Sequence, residues 1–244
     1  MTTRTTIVIV NWNTRDLLAA CLASVYADLP EARVVVVDNA SADGTVAALQ
    51  PRFPQATWIA SPENLGFARG NNLVLREVQT EFAWLLNPDT EVRPGALGRL
   101  EAWLDAHPRA AVAGAGLWNP DGTPQACSFA FPTPLQSAAE WLFLPRPLAR
   151  LRDRVFGLAP RRADGPTDWV LGAAMLVRTA AMREVGVLDD GYFMYSEELD
   201  WCHRFRAAGW EVHLEPAAHV LHHGGAGTSQ VRERMLLELF ASRA

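Results

Sequence analysis

Four consecutive valines, Val34 to Val37, run directly into a carboxylate, Asp38. Successive strand side chains point to opposite faces, so an unbroken apolar run is stable only when both faces of its sheet are covered. Ile7 to Val10 and Phe82 to Leu86 have the same character. Between the first two runs, Leu17, Leu18, Cys21, Leu22 and Val25 recur at helical spacing, with Asn13 or Thr14 placed to cap them. Further on, Ser41 is placed to cap a short helix through Leu49, and Thr57 to Ala60 reads as a third strand. Asn71 to Val78 reads as a helix, and Pro94 fits the first turn of another that reaches Ala106. Alternating strands and helices predict an α/β fold, with a doubly wound, mostly parallel central sheet over residues 1–110.

Residues 111–244 read as a smaller, mixed subregion of the same single domain. Ala111 to Leu117 and Thr123 to Phe129 flank the turn signal Asn119-Pro120-Asp121-Gly122, which predicts a hairpin. Trp169 to Val177 reads as one strand, and Ser196 to Ala208 as a helix closed by Gly209. Trp210 to Leu214 and His219 to Leu221 read as two short strands.

Open parallel sheets bind ligands beyond the carboxyl ends of their strands. Asp38 lies at one such end, and Asn87-Pro88-Asp89 at another. A carboxylate after four valines needs polar partners, which a ribose or base edge would supply. The turn after the first strand, Val10-Asn11-Trp12-Asn13-Thr14, lacks the glycines of a dinucleotide fingerprint, and no Walker loop occurs. Phosphates would therefore be held by a metal and scattered donors. Asp89 is placed to hold a divalent cation, although Asn-Pro-Asp is also an ordinary turn. Asn64 to Asn72 combines two glycines, amides and Arg69 before a helix, which fits a nucleotide-binding loop or a plain capped loop. Glu197-Glu198-Leu199-Asp200 opens a helix, where acidic residues are electrostatically favoured. The aromatic approach Tyr192 to Tyr195 would enclose those carboxylates and raise their pKa toward that of a general base. His222, in a His-His-Gly-Gly loop, could complete a metal site begun by Asp89 and would favour manganese over magnesium.

Composition narrows the classes. The 244 residues are 49% hydrophobic and carry a formal net charge of -5, which argues against a nucleic-acid partner. Three cysteines, none in a Cys-x-x-Cys pair, suit a reducing cytosol. The start lacks a signal-peptide core, and no apolar run approaches the roughly 20 residues of a membrane span. A cytoplasmic location is therefore expected. Trp141 to Leu144 lies beside six arginines (Arg146, Arg150, Arg152, Arg154, Arg161, Arg162) within residues 132–166, where acceptor binding is expected to vary. That patch fits peripheral docking at the inner face of an anionic membrane, an amphipathic lid, or a homodimer contact.

Taken together, Ile7–Thr14, Val34–Thr45, Asn64–Asn72, Leu85–Val92, Trp169–Arg178 and Phe193–Gly209 resemble glycosyltransferase family 2. The closest likeness is to its rhamnosyltransferase-like branch, carried by Phe193 to Trp201 and Asn64 to Asn72. The resemblance implies a GT-A fold, inverting transfer from a dTDP- or UDP-sugar, and a glycan or lipid-linked glycan acceptor. It implies a Mn2+ or Mg2+ cofactor held by Asp89, with His222 as a further ligand. Asn87 stands where the family's Asp-x-Asp motif has its first acid, one carboxylate fewer for the metal. Asp38 would contact the nucleoside. The donor pocket would also draw on Val10, Asn11, Asn13, Asn39, Asn64, Gly66, Phe67, Arg69, Asn71 and Asn87. Trp169, Gly172 and Tyr195 would face the acceptor, and Glu198 would be the catalytic base, with Glu197 and Asp200 as alternatives. Two rival classes stand beside this. A nucleotidyltransferase needs a Gly-rich basic loop after the first strand, which is missing. For a non-catalytic nucleotide-sugar-binding module, carboxylates at both 87–89 and 197–200 would be superfluous.

Overall fold

The computed structural model describes residues 3–132 and 164–224. Strands β1 (Thr5–Asn11), β2 (Arg33–Asp38), β3 (Thr57–Ala60) and β4 (Phe82–Leu86) run parallel in the order β3-β2-β1-β4. Helices α1 (Arg15–Asp28), α2 (Thr45–Leu49) and α3 (Gly66–Leu75) connect them. The sheet continues with β10 (Ala174–Arg178), antiparallel to both β4 and β6 (Ala110–Trp118). Beyond β6 lies β11 (Glu211–His222), parallel to it, and then β5 (Thr90–Val92) and β8 (Gly165–Thr167), both antiparallel to β11. Strands from both ends of the chain thus share one nine-stranded mixed sheet. β7 (Ser128–Phe129) and β9 (Trp169–Val170) form a separate two-stranded sheet. Helices α4 (Ala96–Ala106), α5 (Thr179–Val185) and α6 (Glu197–Ala207) complete the described residues.

The apolar runs are buried on both sides, as their lack of alternation predicts. Ile7, Ile9, Val34, Val36, Phe82, Trp84 and Leu86 face one core with Leu18, Leu22, Leu100 and Leu104. Val8, Val35, Val37, Ala83 and Leu85 face the other with Leu75, Trp201 and Phe205. Odd and even positions of each strand thus divide between two layers of helices.

Several local expectations differ from the structure, each for a readable reason. The 119–122 turn forms, with the Gly122 N–H donating to the Asn119 carbonyl at 2.9 Å. The hairpin beyond it is reduced to a single bridge, Trp118 to Pro124, flanked by the Asn119 N–H bond to the Thr123 carbonyl and the Gln125 N–H bond to the Leu117 carbonyl. The expected strand 169–177 is broken at Leu171–Ala173 into β9 and β10, which join different sheets. The two short strands expected at 210–214 and 219–221 are one strand, β11, with a bulge between Glu215 and His219. There the Pro216 carbonyl sits against Gly116, where an added Cβ would come within 2.4 Å of it. α3 begins at Gly66, five residues before the expected Asn71. Pro94 precedes α4, whose N-cap is Gly95 in a left-handed conformation. The Trp141–Leu144 patch and its arginines lie outside the described residues.

Trp84 is fully buried, and its indole Nε1 finds no hydrogen-bond partner among the described residues. Trp84→Ala should cost about 3–5 kcal/mol through the cavity it leaves. Trp84→Phe should cost far less, because it also removes an unsatisfied donor. Urea unfolding of both variants checks the ordering.

Candidate active site

Beyond the ends of β1 and β2, short polar side chains knit the loops together. Asn11 Nδ2 donates to Asp38 Oδ1 at 3.0 Å and to Ser41 Oγ at 3.1 Å, and Asn11 Oδ1 accepts the Thr14 hydroxyl at 2.6 Å. The Ser41 N–H donates to Asp38 Oδ2 at 3.0 Å. Both oxygens of the buried Asp38 are therefore partnered from within the chain, and burial alone does not call for a nucleoside. Asn13, at φ 51°, accepts the Ala42 N–H at 2.7 Å, while its own N–H donates to Ser41 Oγ at 2.9 Å. Ser41 thus ties two loops rather than capping α2. Asp43 does cap: its Oδ1 accepts the Thr45 N–H and its Oδ2 the Arg15 N–H, each at 3.0 Å.

The 64–72 loop is built around one close approach. Gly66 has φ +77°, and a Cβ there would lie 2.2 Å from the Phe193 carbonyl oxygen. Only glycine satisfies both demands. The next residue, Phe67, donates its N–H to that same carbonyl at 2.8 Å. Asn64 Oδ1 accepts the Gly66 N–H at 3.0 Å, and Asn39 Nδ2 donates to the Gly66 carbonyl at 2.9 Å. Asn39 Oδ1 is buried without a partner among the described residues. Val10 packs beneath α3 at Gly70, where a Cβ would meet it at 2.9 Å. The Asn71 and Asn72 amides are committed to the fold: Asn71 Nδ2 bonds the Phe67 carbonyl at 2.9 Å, and Asn72 Nδ2 bonds the Leu188 carbonyl at 2.7 Å and Asp190 at 2.6 Å. Arg69 is exposed.

Through Gly66, this loop holds the segment that leads into α6. Tyr195 and Ser196 have φ of 71° and 72°, two successive non-glycine residues in the left-handed region. Each such residue costs on the order of 1–3 kcal/mol, and that strain fixes the direction in which α6 begins. Glu197 and Glu198 follow at once. Glu197 is 4% exposed. The Oε2 atoms of both glutamates are shut from solvent and have no partner among the described residues. Burial pushes the Glu197 carboxyl well above the usual carboxylate range, and the neighbouring charge of Glu198 adds to the rise. Burial raises Glu198 as well, against N–H groups, Gly172's among them, that favour its ionised form. Asp200 differs. It accepts a 2.8 Å bond from Arg204 Nε, and Arg204 in turn bonds the Val185 and Val187 carbonyls. That places Asp200 in a structural ion pair.

Gly172 joins the two halves of the site. Its N–H reaches Glu198, and it lies against Phe67, where a Cβ would come within 3.3 Å of the ring. The carbonyl of the next residue, Ala173, accepts the Asn87 N–H at 2.9 Å. A short backbone path therefore connects the Asn87-Pro88-Asp89 turn to the glutamates of α6. Trp169, on β9, stacks on Phe129 at 4.6 Å and donates to the Ala130 carbonyl at 3.1 Å.

At the other side of that turn, Asp89 and His222 are both buried, with His222 Nε2 3.4 Å from Asp89 Oδ1. The His223 N–H donates to the Asp89 carbonyl at 2.9 Å, which pins the end of β11 to the turn. His222 Nδ1 lies 2.6 Å from Gln125 Oε1. One carboxylate and one imidazole nitrogen converging in this way fit a divalent cation whose other positions are filled by phosphate oxygens and water. No group of three or more His, Cys, Asp or Glu with metal-binding geometry occurs among the described residues. Gln125, Tyr195 and Ser196 in their backbone roles, and the Gly66–Phe193 contact were not foreseen from the sequence. Only the glycine at 66, the first of the two in the 64–72 loop, could have hinted at the last.

Solved structures share the architecture. GalNAc-T7 with UDP, GalNAc and Mn2+ superposes with a TM-score of 0.67 at 14% identity, over 89% of this chain and 43% of that one. Mannosyltransferase PcManGT of Pyrobaculum calidifontis, in complex with GDP-Man and Mn2+, gives 0.64 at 18% identity, over 98% of this chain and 64% of that one. The fold is therefore the α/β fold of the GT-A glycosyltransferases. Residues 6–127 match glycosyl transferase family 2. Over 212 residues the chain is 30% identical to N-acetylglucosaminyl-diphospho-decaprenol L-rhamnosyltransferase of Mycobacterium tuberculosis, covering 81% of this chain and 68% of that protein. A stretch of 61 residues is 43% identical to rhamnosyltransferase WbbL of Escherichia coli, 25% of this chain and 23% of that one. The chain belongs to glycosyl transferase family 2.

The glutamate pair has a consequence for stability. A carboxyl whose pKa is raised by folding keeps its proton longer in the folded chain than in the unfolded one. Above the unfolded value of about 4.3, stability therefore falls as pH rises through the raised value. Glu197→Gln removes that loss. Its urea midpoint should exceed that of the parent chain at pH 8 and converge with it near pH 4.

Proposed function

We propose that this chain is an inverting glycosyltransferase that moves a sugar, rhamnose being the first candidate, from a dTDP- or UDP-sugar to a hydroxyl of a glycan or lipid-linked glycan. The observation that carries the reading is the buried Glu197–Glu198 pair, tied through Gly172 and Ala173 to the Asn87-Pro88-Asp89 turn. In this reading a proton acceptor and a cation-holding carboxylate flank one cleft. The identity to two rhamnosyltransferases supports the choice of sugar.

Glu198 is the proposed base. As a residue it is only partly buried, whereas Glu197 is closed off, and in this reading the acceptor hydroxyl takes the place beside Glu198 Oε2, which is buried without a partner among the described residues. Burial moves its pKa toward the operating pH, which favours proton transfer in the transition state. The charge of Glu198 in turn adds to the proton affinity of the buried Glu197, which therefore holds its proton. Gly172 orients the Glu198 carboxylate, and Trp169, Gly172 and Tyr195 form the acceptor side. Asp38, Asn11, Asn13 and Asn39 line the nucleoside end, and the 64–72 loop closes over it with Arg69 toward solvent and phosphate. Asp89 and His222 would hold Mn2+ or Mg2+. When bound, that ion neutralises the diphosphate leaving group. The Glu198 carboxylate takes the proton as the acceptor oxygen attacks the anomeric carbon in line, so the configuration inverts.

Glu198→Gln should lower kcat by about 10²- to 10⁴-fold while donor affinity is kept, and Glu197→Gln should lower it much less. Near-normal turnover in Glu198→Gln would remove that residue as base. A thermal-shift series with dTDP-, UDP- and GDP-sugars, each with and without Mn2+, tests the donor: the largest stabilisation is expected for a dTDP- or UDP-sugar with the metal, and to shrink in Asp89→Ala. A protein that releases pyrophosphate from dTTP and a sugar phosphate would instead be a nucleotidyltransferase.

A further inference from the structure

The turn singled out in the sequence as a mere reversal, Asn119 to Gly122, continues into a directed chain of side-chain hydrogen bonds that ends on His222. The direction of every link is set from its outer end. Asp121 is held below the usual carboxylate range, chiefly by the Thr123 hydroxyl, so it is ionised near neutral pH and only accepts. The Thr123 hydroxyl donates to Asp121 Oδ1 at 2.6 Å. Its oxygen is left to accept, and Asn119 Nδ2 donates to it at 3.0 Å. That turns Asn119 Oδ1 toward Gln125, whose Nε2 donates to it at 3.1 Å. With its amide nitrogen committed, Gln125 presents Oε1 to His222 Nδ1 at 2.6 Å. An acceptor at that distance requires the proton on Nδ1, and in the neutral ring this leaves Nε2 with its lone pair on the side of Asp89.

We propose that Gln125 is a positioning residue that locks His222 in the Nδ1–H form, so that Nε2 is presented beside Asp89 as a ligand for a divalent cation. The inference rests on the cation-holding role proposed above for Asp89 and His222. Backbone bonds make the arrangement stiff: the Gln125 N–H donates to the Leu117 carbonyl and the Asn119 N–H to the Thr123 carbonyl, each at 2.8 Å. Gly224, at φ +71°, closes over both side chains, its Cβ position 3.6 Å from Gln125 Nε2 and 3.9 Å from His222 Cε1. Groups that orient a ligating imidazole through its second nitrogen commonly shift metal affinity by about 10- to 100-fold. The Asn87-Pro88-Asp89 turn offers one carboxylate, so the imidazole is the second ionisable ligand at this corner.

Two measurements on the full chain test this. First, nitrogen-15 NMR of histidine-labelled, metal-free protein at pH 8 reads the tautomer of each ring, with the His222 signals assigned by their loss in His222→Ala. The parent chain should show Nδ1–H at His222. Gln125→Met, which removes both amide groups at similar length, should lose that preference, and Gln125→Glu, which keeps an acceptor, should retain it. Second, Mn2+ titration followed by electron paramagnetic resonance, with dTDP or UDP present, should show roughly 10- to 100-fold weaker binding in Gln125→Met, with rescue in Gln125→Glu. An Nε2–H form in the parent chain, or an unchanged tautomer in Gln125→Met, overturns the proposal. The expected tautomers in a parent chain that binds no Mn2+ would instead overturn the cation reading on which it rests, and leave the lock on His222 standing.

Discussion

The site depends on the insertion of β10 between β4 and β6, antiparallel to both. Without it, the first four strands would be an ordinary parallel half-sheet with an acidic turn at one end. With it, the strand that carries Gly172 and Ala173 on its approach is laid along β4, and the Asn87 N–H closes onto the Ala173 carbonyl. That one backbone contact brings residues from opposite halves of the chain to a common edge. The proposed mechanism follows from it: the Asp89–His222 corner on one side and a pair of proton-hungry carboxylates on the other.

The carboxylates are held in place at a cost. Two consecutive left-handed residues precede α6, and a glycine is wedged against the Phe193 carbonyl to keep the preceding segment from relaxing. Two glutamates then stand side by side, each with a buried Oε2 that no hydrogen bond satisfies among the described residues. Strain and unsatisfied charge at one spot are hard to reconcile with a purely structural role, because an apolar helix start would be more stable there. Both make sense where a bound hydroxyl is to surrender a proton.

Much of this was legible from local pattern. The apolar runs at 7–10, 34–37 and 82–86 encode strands buried on both faces, and Asp38, Asp89 and the 197–200 cluster declare themselves as polar residues at the ends of such elements. What the pattern does not carry is long-range pairing. Trp169 to Val177 reads as one strand because its composition is uniform, yet Gly172 divides it, and the reason lies in Phe67 and Glu198, which are remote in sequence. β5 is three residues long and exists only because β11 runs beside it. Asp200 and Glu198 look alike in the sequence, and only Arg204, one helical turn on and fixed by two carbonyls, separates their roles. Gln125 carries no signal at all, since its meaning comes from a histidine 97 positions away.

The piecewise cover of β11 has a bearing on behaviour at high concentration. One flank of this twelve-residue strand is paired with β6 along most of its length. The opposite flank would offer a long row of amide and carbonyl groups to any passing chain. β8 occupies that flank at 212–214, β5 occupies it at 220–222, and between them Pro216 interrupts the row with a residue that has no N–H to give. Two fragments too short to stand alone, and one imino acid, thus deny a template for edge-to-edge aggregation on this flank of the sheet.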